Sequence, residues 1–132
     1  KWTAWTPRFG LDWKATDDVL VYASYTKGFK SGGYNSYQPS NPVYEPEYIK
    51  SYEVGVKSDW FDRKLRVNAA AFWYDYTDLQ VTSFFQSLTL VTNAADSTVK
   101  GFDLDVLANP IEGLDLGFAL SWLDATYDRF LF

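Results

Sequence analysis

The chain has 132 residues, a net charge of −5, a sequence pI near 4.5, and no cysteine or histidine. Without histidine or cysteine there can be no Ser-His-Asp triad, no HExxH zinc site, no thiolate metal site and no disulfide framework within it. The acidic balance without a basic run leaves a nucleic-acid role no electrostatic footprint, and no apolar run approaches the roughly 20 residues of a spanning helix.

The remaining signal is period two. A strand places alternate side chains on opposite faces, so alternation of polar and apolar residues separates a wet face from a dry one. The first predicted strand runs from about Trp2 to Lys14, with Phe9, Leu11 and Trp13 on one face and Asp12 and Lys14 on the other. Pro7 has no N–H for a ladder and is expected at a bulge. The second covers about Val19–Phe29, and its faces cannot be separated. The third, about Tyr48–Trp60, places Tyr52, Val54 and Val56 opposite Glu53, Lys57 and Asp59. The fourth covers about Lys64–Thr82. Leu65, Val67, Ala69 and Ala71 form its apolar face, although Phe72, Tyr74 and Tyr76 lie on the other.

The fifth strand, about Leu90–Ala108, alternates Phe102, Leu104 and Val106 with Asp103 and Asp105. The sixth, about Gly113–Asp128, is the cleanest, with Leu114, Leu116, Phe118, Leu120 and Trp122 against Asp115, Gly117, Ala119 and Ser121. Phe118 is expected near the middle of the dry face. Short turns are predicted at about Ala15–Asp17, Phe61–Arg63 and Asn109–Glu112, and longer loops at Lys30–Glu47 and about Ser83–Thr89. Tight turns alternating with long loops are a feature of transmembrane barrels, as are strands longer than the usual five or six residues. Aromatics form 20% of the chain, and Trp60, Trp73, Trp122 and Tyr127 suit the two girdles of such a barrel. The fold class read from these patterns is all-β: about six antiparallel transmembrane strands, an arc of a larger barrel, with a soluble β-sheet as the alternative. Six strands alone would leave two open edges that lipid cannot satisfy.

Three stretches carry a family likeness. PEYIKSYEVGVKSDWFDRKLRVNAAAFWYDYTDLQ at Pro46–Gln80, SYTKGFKSGGYN at Ser24–Asn35 and NAADSTVKGFDLDVLANPIEGLDL at Asn93–Leu116 resemble barrel strands of TonB-dependent outer-membrane receptors, in that family's order. The resemblance implies a barrel of about 22 strands plugged by an N-terminal domain, in the bacterial outer membrane. It also implies uptake of a scarce nutrient such as a ferric siderophore, driven by TonB acting on the plug. No segment resembles the plug or its TonB-contacting box, and the chain opens at Lys1 rather than Met. Residues 1–132 are therefore expected to be a partial barrel domain lacking the plug and the C-terminal strands, with Phe132 the end of a fragment. The rival functions are a soluble carbohydrate-binding sheet and a passive porin-like barrel.

No catalytic residue, metal-ligating set or cofactor is expected. Asp103 with Asp105, Glu53 with Asp59, and Asp75 with Asp78 are carboxylate pairs, but each shares one strand, as in a solvated wall. The glycines of Gly28-Phe29-Lys30-Ser31-Gly32-Gly33 have the wrong spacing for a phosphate loop and suit a strand breaking into a loop. The binding candidates are Tyr34, Asn35, Tyr37 and Tyr44 in the Lys30–Glu47 loop, with Gln38 and Asn41 between them. Tyrosines supply flat stacking surfaces with polar tips for aromatic, catecholate or sugar ligands, or pack against neighbouring loops. Lys27, Lys30 and Lys50 could add attraction for an anionic complex.

Overall fold

Strands pair in the order of the chain because every connection joins antiparallel neighbours. A computed structural model describes residues 1–36, 43–85 and 88–131, with backbone alone at Phe85. The elements are β1 (Arg8–Lys14), β2 (Val19–Lys30), β3 (Gly33–Tyr34), β4 (Val43–Tyr44), β5 (Glu47–Trp60), β6 (Leu65–Phe85), β7 (Leu88–Ile111) and β8 (Leu114–Phe130). One six-stranded sheet runs β1-β2-β5-β6-β7-β8, and β3 with β4 forms a separate ribbon between β2 and β5. The sheet is an open arc, as expected.

Register turns the alternation of single strands into a two-faced wall. Leu11, Ala23, Val54, Ala71, Phe102 and Trp122 align in one cross-strand row, and Trp13, Val21, Val56, Ala69, Leu104 and Leu120 in another. The interleaved rows are polar: Asp12, Tyr22, Gly55, Ala70, Asp103 and Ser121 align, as do Lys14, Leu20, Lys57, Asn68, Asp105 and Ala119. Pairing thus assigns Val21, Ala23 and Tyr25 of β2 to the apolar face, which the sequence alone could not do. It also puts Phe72, Tyr74 and Tyr76 on the polar face.

No described residue covers the apolar face. Among the described residues the buried apolar side chains are Ala94, Ala95 and Pro46, whereas Leu11 is 70% exposed and Phe118 56%. A water-soluble sheet of this size would bury that face against a second layer.

Aromatic rings bound the apolar band. At one edge Phe9, Tyr25, Tyr52 and Trp73 share a row, with Tyr25 and Tyr52 centroids 5.1 Å apart. At the other, Trp60 pairs with Leu65 beside the turn. Tyr52 to Trp60 is nine residues. That is about 26 Å along a strand and about 20 Å along the normal at a tilt near 40°, before the rings add their reach. Ser58 is the polar exception within the band. Its hydroxyl donates to the Val67 carbonyl (2.8 Å) and accepts from the Trp60 indole (3.0 Å), so no polar atom is left exposed there. Phe118 pairs with Val106 one row nearer the turns than Leu120, so mid-band belongs to Val56, Leu104 and Leu120. Tyr127 pairs with Ser97 on the polar face and does not extend the row of rings.

Other boundaries shift for local reasons. Strand β1 begins at Arg8, not Trp2. Pro7 cannot donate, but its carbonyl accepts the Lys27 N–H (3.0 Å) and so seats the strand start. The long loop expected at Ser83–Thr89 is mostly ladder, with Ser83 opposite Leu90 and Phe84 opposite Thr89. The β-branched run Val81, Thr82, Thr89, Val91 and Thr92 favours strand over the loop that its polar members implied. Two tight turns fall as predicted, while the one expected at Asn109–Glu112 narrows to Glu112 and Gly113 because β7 continues through Ile111. Phe61, Asp62 and Arg63 all carry positive φ (54°, 55° and 66°), and Gly113 at φ 81° permits the last turn. Backbone hydrogen bonds from Asp59 N–H to the Asp18 carbonyl (2.9 Å) and from Asn109 N–H to the Lys64 carbonyl (2.7 Å) lace these turns together.

Candidate functional site

The end of the sheet opposite the tight turns is polar, folded back on itself and held by side-chain amides. Here β6 and β7 run far past the apolar band, with register shifts between Tyr76 and Gln80. At the bulge Asp78 adopts φ 56°, a conformation that costs a non-glycine residue energy unless partners hold it. They do: its N–H donates to the Asp96 carboxylate (3.0 Å) and its carbonyl accepts from the Asn93 amide (2.7 Å). Arg129 completes the cluster, with Nε 2.9 Å from Asp96 and Nη2 3.8 Å from Asp78. Asp96 lies in the part of β7 beyond the apolar band. The Asp78 N–H, followed by the Arg129 guanidinium, holds its carboxyl below the usual carboxylate range.

Upon this bulge sits the β3–β4 ribbon. Asn93 Oδ1 accepts the Glu45 N–H (2.7 Å) while its Nδ2 donates to the Glu45 carbonyl (2.8 Å), copying a strand pair with one side chain. Gln80 Nε2 reaches the carbonyls of Ser31 (3.0 Å) and Glu45 (3.1 Å), and Gln80 N–H donates to Glu47 (3.0 Å). These bonds satisfy backbone groups at both feet of the loop and fix where it leaves the wall.

The candidate residues separate by role. Tyr34 is 68% exposed, and its ring lies 6.0 Å from that of Trp2 at 52°. The Trp2 indole donates to the Glu45 carboxylate (3.2 Å), so the segment before β1 is drawn into the site. The Tyr44 ring lies across Gly33, where a Cβ would stand 2.5 Å from Cζ. Asn35 is buried and forms a two-way bridge to Val91, donating to its carbonyl (2.8 Å) and accepting its N–H (3.0 Å). It holds the loop to β7. Tyr37, Gln38 and Asn41 fall outside the described residues. Sequence reasoning missed Trp2, Gln80 and Asn93.

The carboxylate pairs stay apart as chemistry. Asp75 accepts the Trp73 indole (2.6 Å), Asp78 is held in the bulge, and Asp59 is bidentate with Arg66 (2.8 and 3.3 Å). Among the described residues no cluster of carboxylates could hold a metal ion. The arrangement can present aromatic and polar groups on a braced ribbon.

The family model described as TonB dependent receptor-like, beta-barrel matches residues 1–130. The metal-pseudopaline receptor CntO of Pseudomonas aeruginosa is 31% identical over 120 residues, covering 91% of this chain and 16% of that protein. The probable TonB-dependent siderophore receptor PiuA of Acinetobacter baumannii is 26% identical over 128 residues, covering 91% of this chain and 17% of that protein. The crystal structure of the ferric yersiniabactin uptake receptor FyuA from Yersinia pestis superposes with a TM-score of 0.78 at 21% identity, over 96% of this chain and 19% of that one. The chain thus spans less than a fifth of the length of these proteins.

Proposed function

Because this chain belongs to the TonB-dependent receptor β-barrel family, we propose that it is part of the wall and capture surface of an outer-membrane uptake receptor. The apolar face meets lipid, the polar face lines the lumen, the tight turns face the periplasm and the β3–β4 ribbon faces outward. The cargo is a ferric siderophore or a similar metal complex, in keeping with the metal-pseudopaline and siderophore receptors among its relatives. TonB drives uptake through a plug domain outside these residues, and the role is transport, not catalysis. The observation that carries the reading is the band of apolar side chains, bounded by an aromatic row at one edge and by Trp60 at the other, and covered by no described residue. Such a band has no role in a soluble binding sheet, and a passive porin has no use for TonB.

Within the capture surface, Tyr34 and Tyr44 are the contact residues, with Tyr37 between them in the sequence. Asn35 is the brace. Uptake of radioactive iron, supplied as the siderophore fraction of the producing strain's own culture medium, tests the proposal in cells carrying the full-length receptor. Deleting either the receptor gene or TonB is expected to abolish uptake. Tyr34→Ala combined with Tyr44→Ala is expected to weaken cargo binding about tenfold, the loss of one or two aromatic contacts. Uptake that persists without TonB would refute the mechanism.

A further inference from the structure

A file of aromatic rings runs along the face that should be wet. The inner wall of a membrane barrel is ordinarily polar. Tyr76, Tyr74 and Phe72 nevertheless follow one another on the polar face of β6, two residues apart and each half-buried. They stand among smaller side chains, with Ser97 beside Tyr76, Ser51 beside Tyr74 and Gly101 beside Phe72. The Phe72 and Tyr74 rings stack, with centroids 5.0 Å apart and planes 20° from parallel.

Glycines seat two of the rings close to the wall. A Cβ at Gly101 would stand 2.7 Å from Phe72 Cζ, so that ring lies against the β7 backbone. One polar row farther in, Tyr22 of β2 lies across Gly55 of β5, where a Cβ would stand 2.4 Å from its Cζ. The Lys57 ammonium lies 5.7 Å from the Tyr22 ring centroid. From Tyr76 to Ala70, which shares the row of Tyr22 and Gly55, is six residues, or about 20 Å along the strand. The file begins four residues from Gln80, whose amide holds both feet of the ribbon, and ends one residue from the mid-band row. Glu53, opposite Phe72, and Asp103, opposite Ala70, stand beside it as acceptors. Ring faces offer water little, but a planar aromatic ligand stacks on them.

We propose that Tyr76, Tyr74, Phe72 and Tyr22 form a luminal track, on which a cargo with planar aromatic chelating rings passes from the capture ribbon to mid-membrane. Stacking sites about 7 Å apart along β6 let one ring hold while the next is exchanged. Glu53 and Asp103 accept hydrogen bonds from N–H groups on the cargo's arms. Tyr34 and Tyr44 set the affinity of capture, whereas the track sets the rate of passage. This rests on the uptake reading above and on the polar face lining the lumen.

The test separates capture from passage in cells carrying the full-length receptor, with radioactive iron bound by the producing strain's siderophore fraction as the probe. Binding is read in cells lacking TonB, and the initial rate of uptake in cells that have it. Phe72→Leu, Tyr74→Leu and Tyr76→Leu together keep apolar bulk and remove the rings. That receptor is expected to take up iron about tenfold more slowly, the loss of several aromatic contacts, with its binding affinity unchanged. Phe72→Tyr with Tyr74→Phe and Tyr76→Phe keeps the rings and should keep the rate. If the triple-leucine receptor does not reach the outer membrane, Tyr74→Leu alone carries the test, with about a threefold slowing expected. A leucine variant as fast as the native receptor overturns the proposal, because the rings then serve only as packing against the plug. Equal slowing by the ring-keeping variant overturns it too. So does a matching loss of binding, since the rings would then belong to the capture surface. Uptake that persists without TonB overturns the uptake reading and the proposal with it.

Discussion

Leu120→Arg is expected to destabilise the full-length barrel by about 2–4 kcal/mol, the cost of an arginine facing lipid near the bilayer midplane. Leu120 is half exposed in the mid-band row with Val56 and Leu104, on the face that no other element covers. Its neighbour Ala119 pairs with Asp105 on the polar face, where an arginine would meet a carboxylate and, in a barrel, the water of the lumen. Ala119→Arg should therefore cost less than about 1 kcal/mol. A one-residue step carries the same charge from one solvent to another. Phe118→Arg, one row nearer the tight turns, should fall between them. Reversible denaturant unfolding of the three variants in lipid vesicles gives the ordering; equal costs at 119 and 120 would remove the distinction between the faces.

Gly101→Val is the second large effect expected, and it works through the backbone. A Cβ at Gly101 would stand 2.3 Å from the Trp122 carbonyl oxygen of the adjacent strand and 2.7 Å from Cζ of Phe72. The Phe72 ring can rotate away, but the carbonyl is held in the β7–β8 ladder. The strands must part locally, at about 1–3 kcal/mol for overpacking and more if ladder bonds are lost. Phe72→Ala added to Gly101→Val should restore little, since it clears only the ring. Gly117→Ala is the matching control, because a Cβ there meets only the Leu107 side chain at 3.5 Å. The temperature at which the folded barrel's fast gel mobility is lost should drop for Gly101→Val and hold for Gly117→Ala. Full rescue by Phe72→Ala would show that the ring, not the carbonyl, sets the constraint.

The wall was far more legible in the sequence than the site. Strands β5 and β8 announce their faces because each apolar position alternates with a charged or small one, as Val54 and Val56 do with Glu53 and Lys57. Strand β2 does not, since Tyr22 and Tyr25 are amphipathic and point to opposite sides; only the register with Gly55 and Tyr52 separates them. Ser83–Thr89 misled because hydroxyl residues suit both loops and strands, and the ladder there pairs residues only five to seven positions apart, Phe84 with Thr89 and Ser83 with Leu90.

In the loop, the tyrosines were visible as rings between polar residues. The braces were not. Asn93 and Gln80 are ordinary polar residues in strands, and their partners at Glu45 are backbone groups 48 and 35 positions away. Asn93 did lie within a stretch carrying the family likeness, and a polar amide among β-branched neighbours was the signal available. Trp2 was assigned to a strand that begins only at Arg8, so its contact with Glu45 could not be foreseen.

The proposed receptor depends most on one face of this sheet meeting lipid while the other meets the aqueous lumen. These 132 residues hold no cysteine, so single cysteines at positions 117–122 of the full-length receptor, with any cysteine elsewhere in it replaced, can carry nitroxide labels in liposomes. Spin relaxation by oxygen, which concentrates in lipid, and by a water-soluble nickel chelate then reads each position's solvent. The lipid-facing assignment gives oxygen dominance at 118, 120 and 122 and none at 117, 119 and 121. Uniform accessibility along the strand, or the opposite phase, would contradict it.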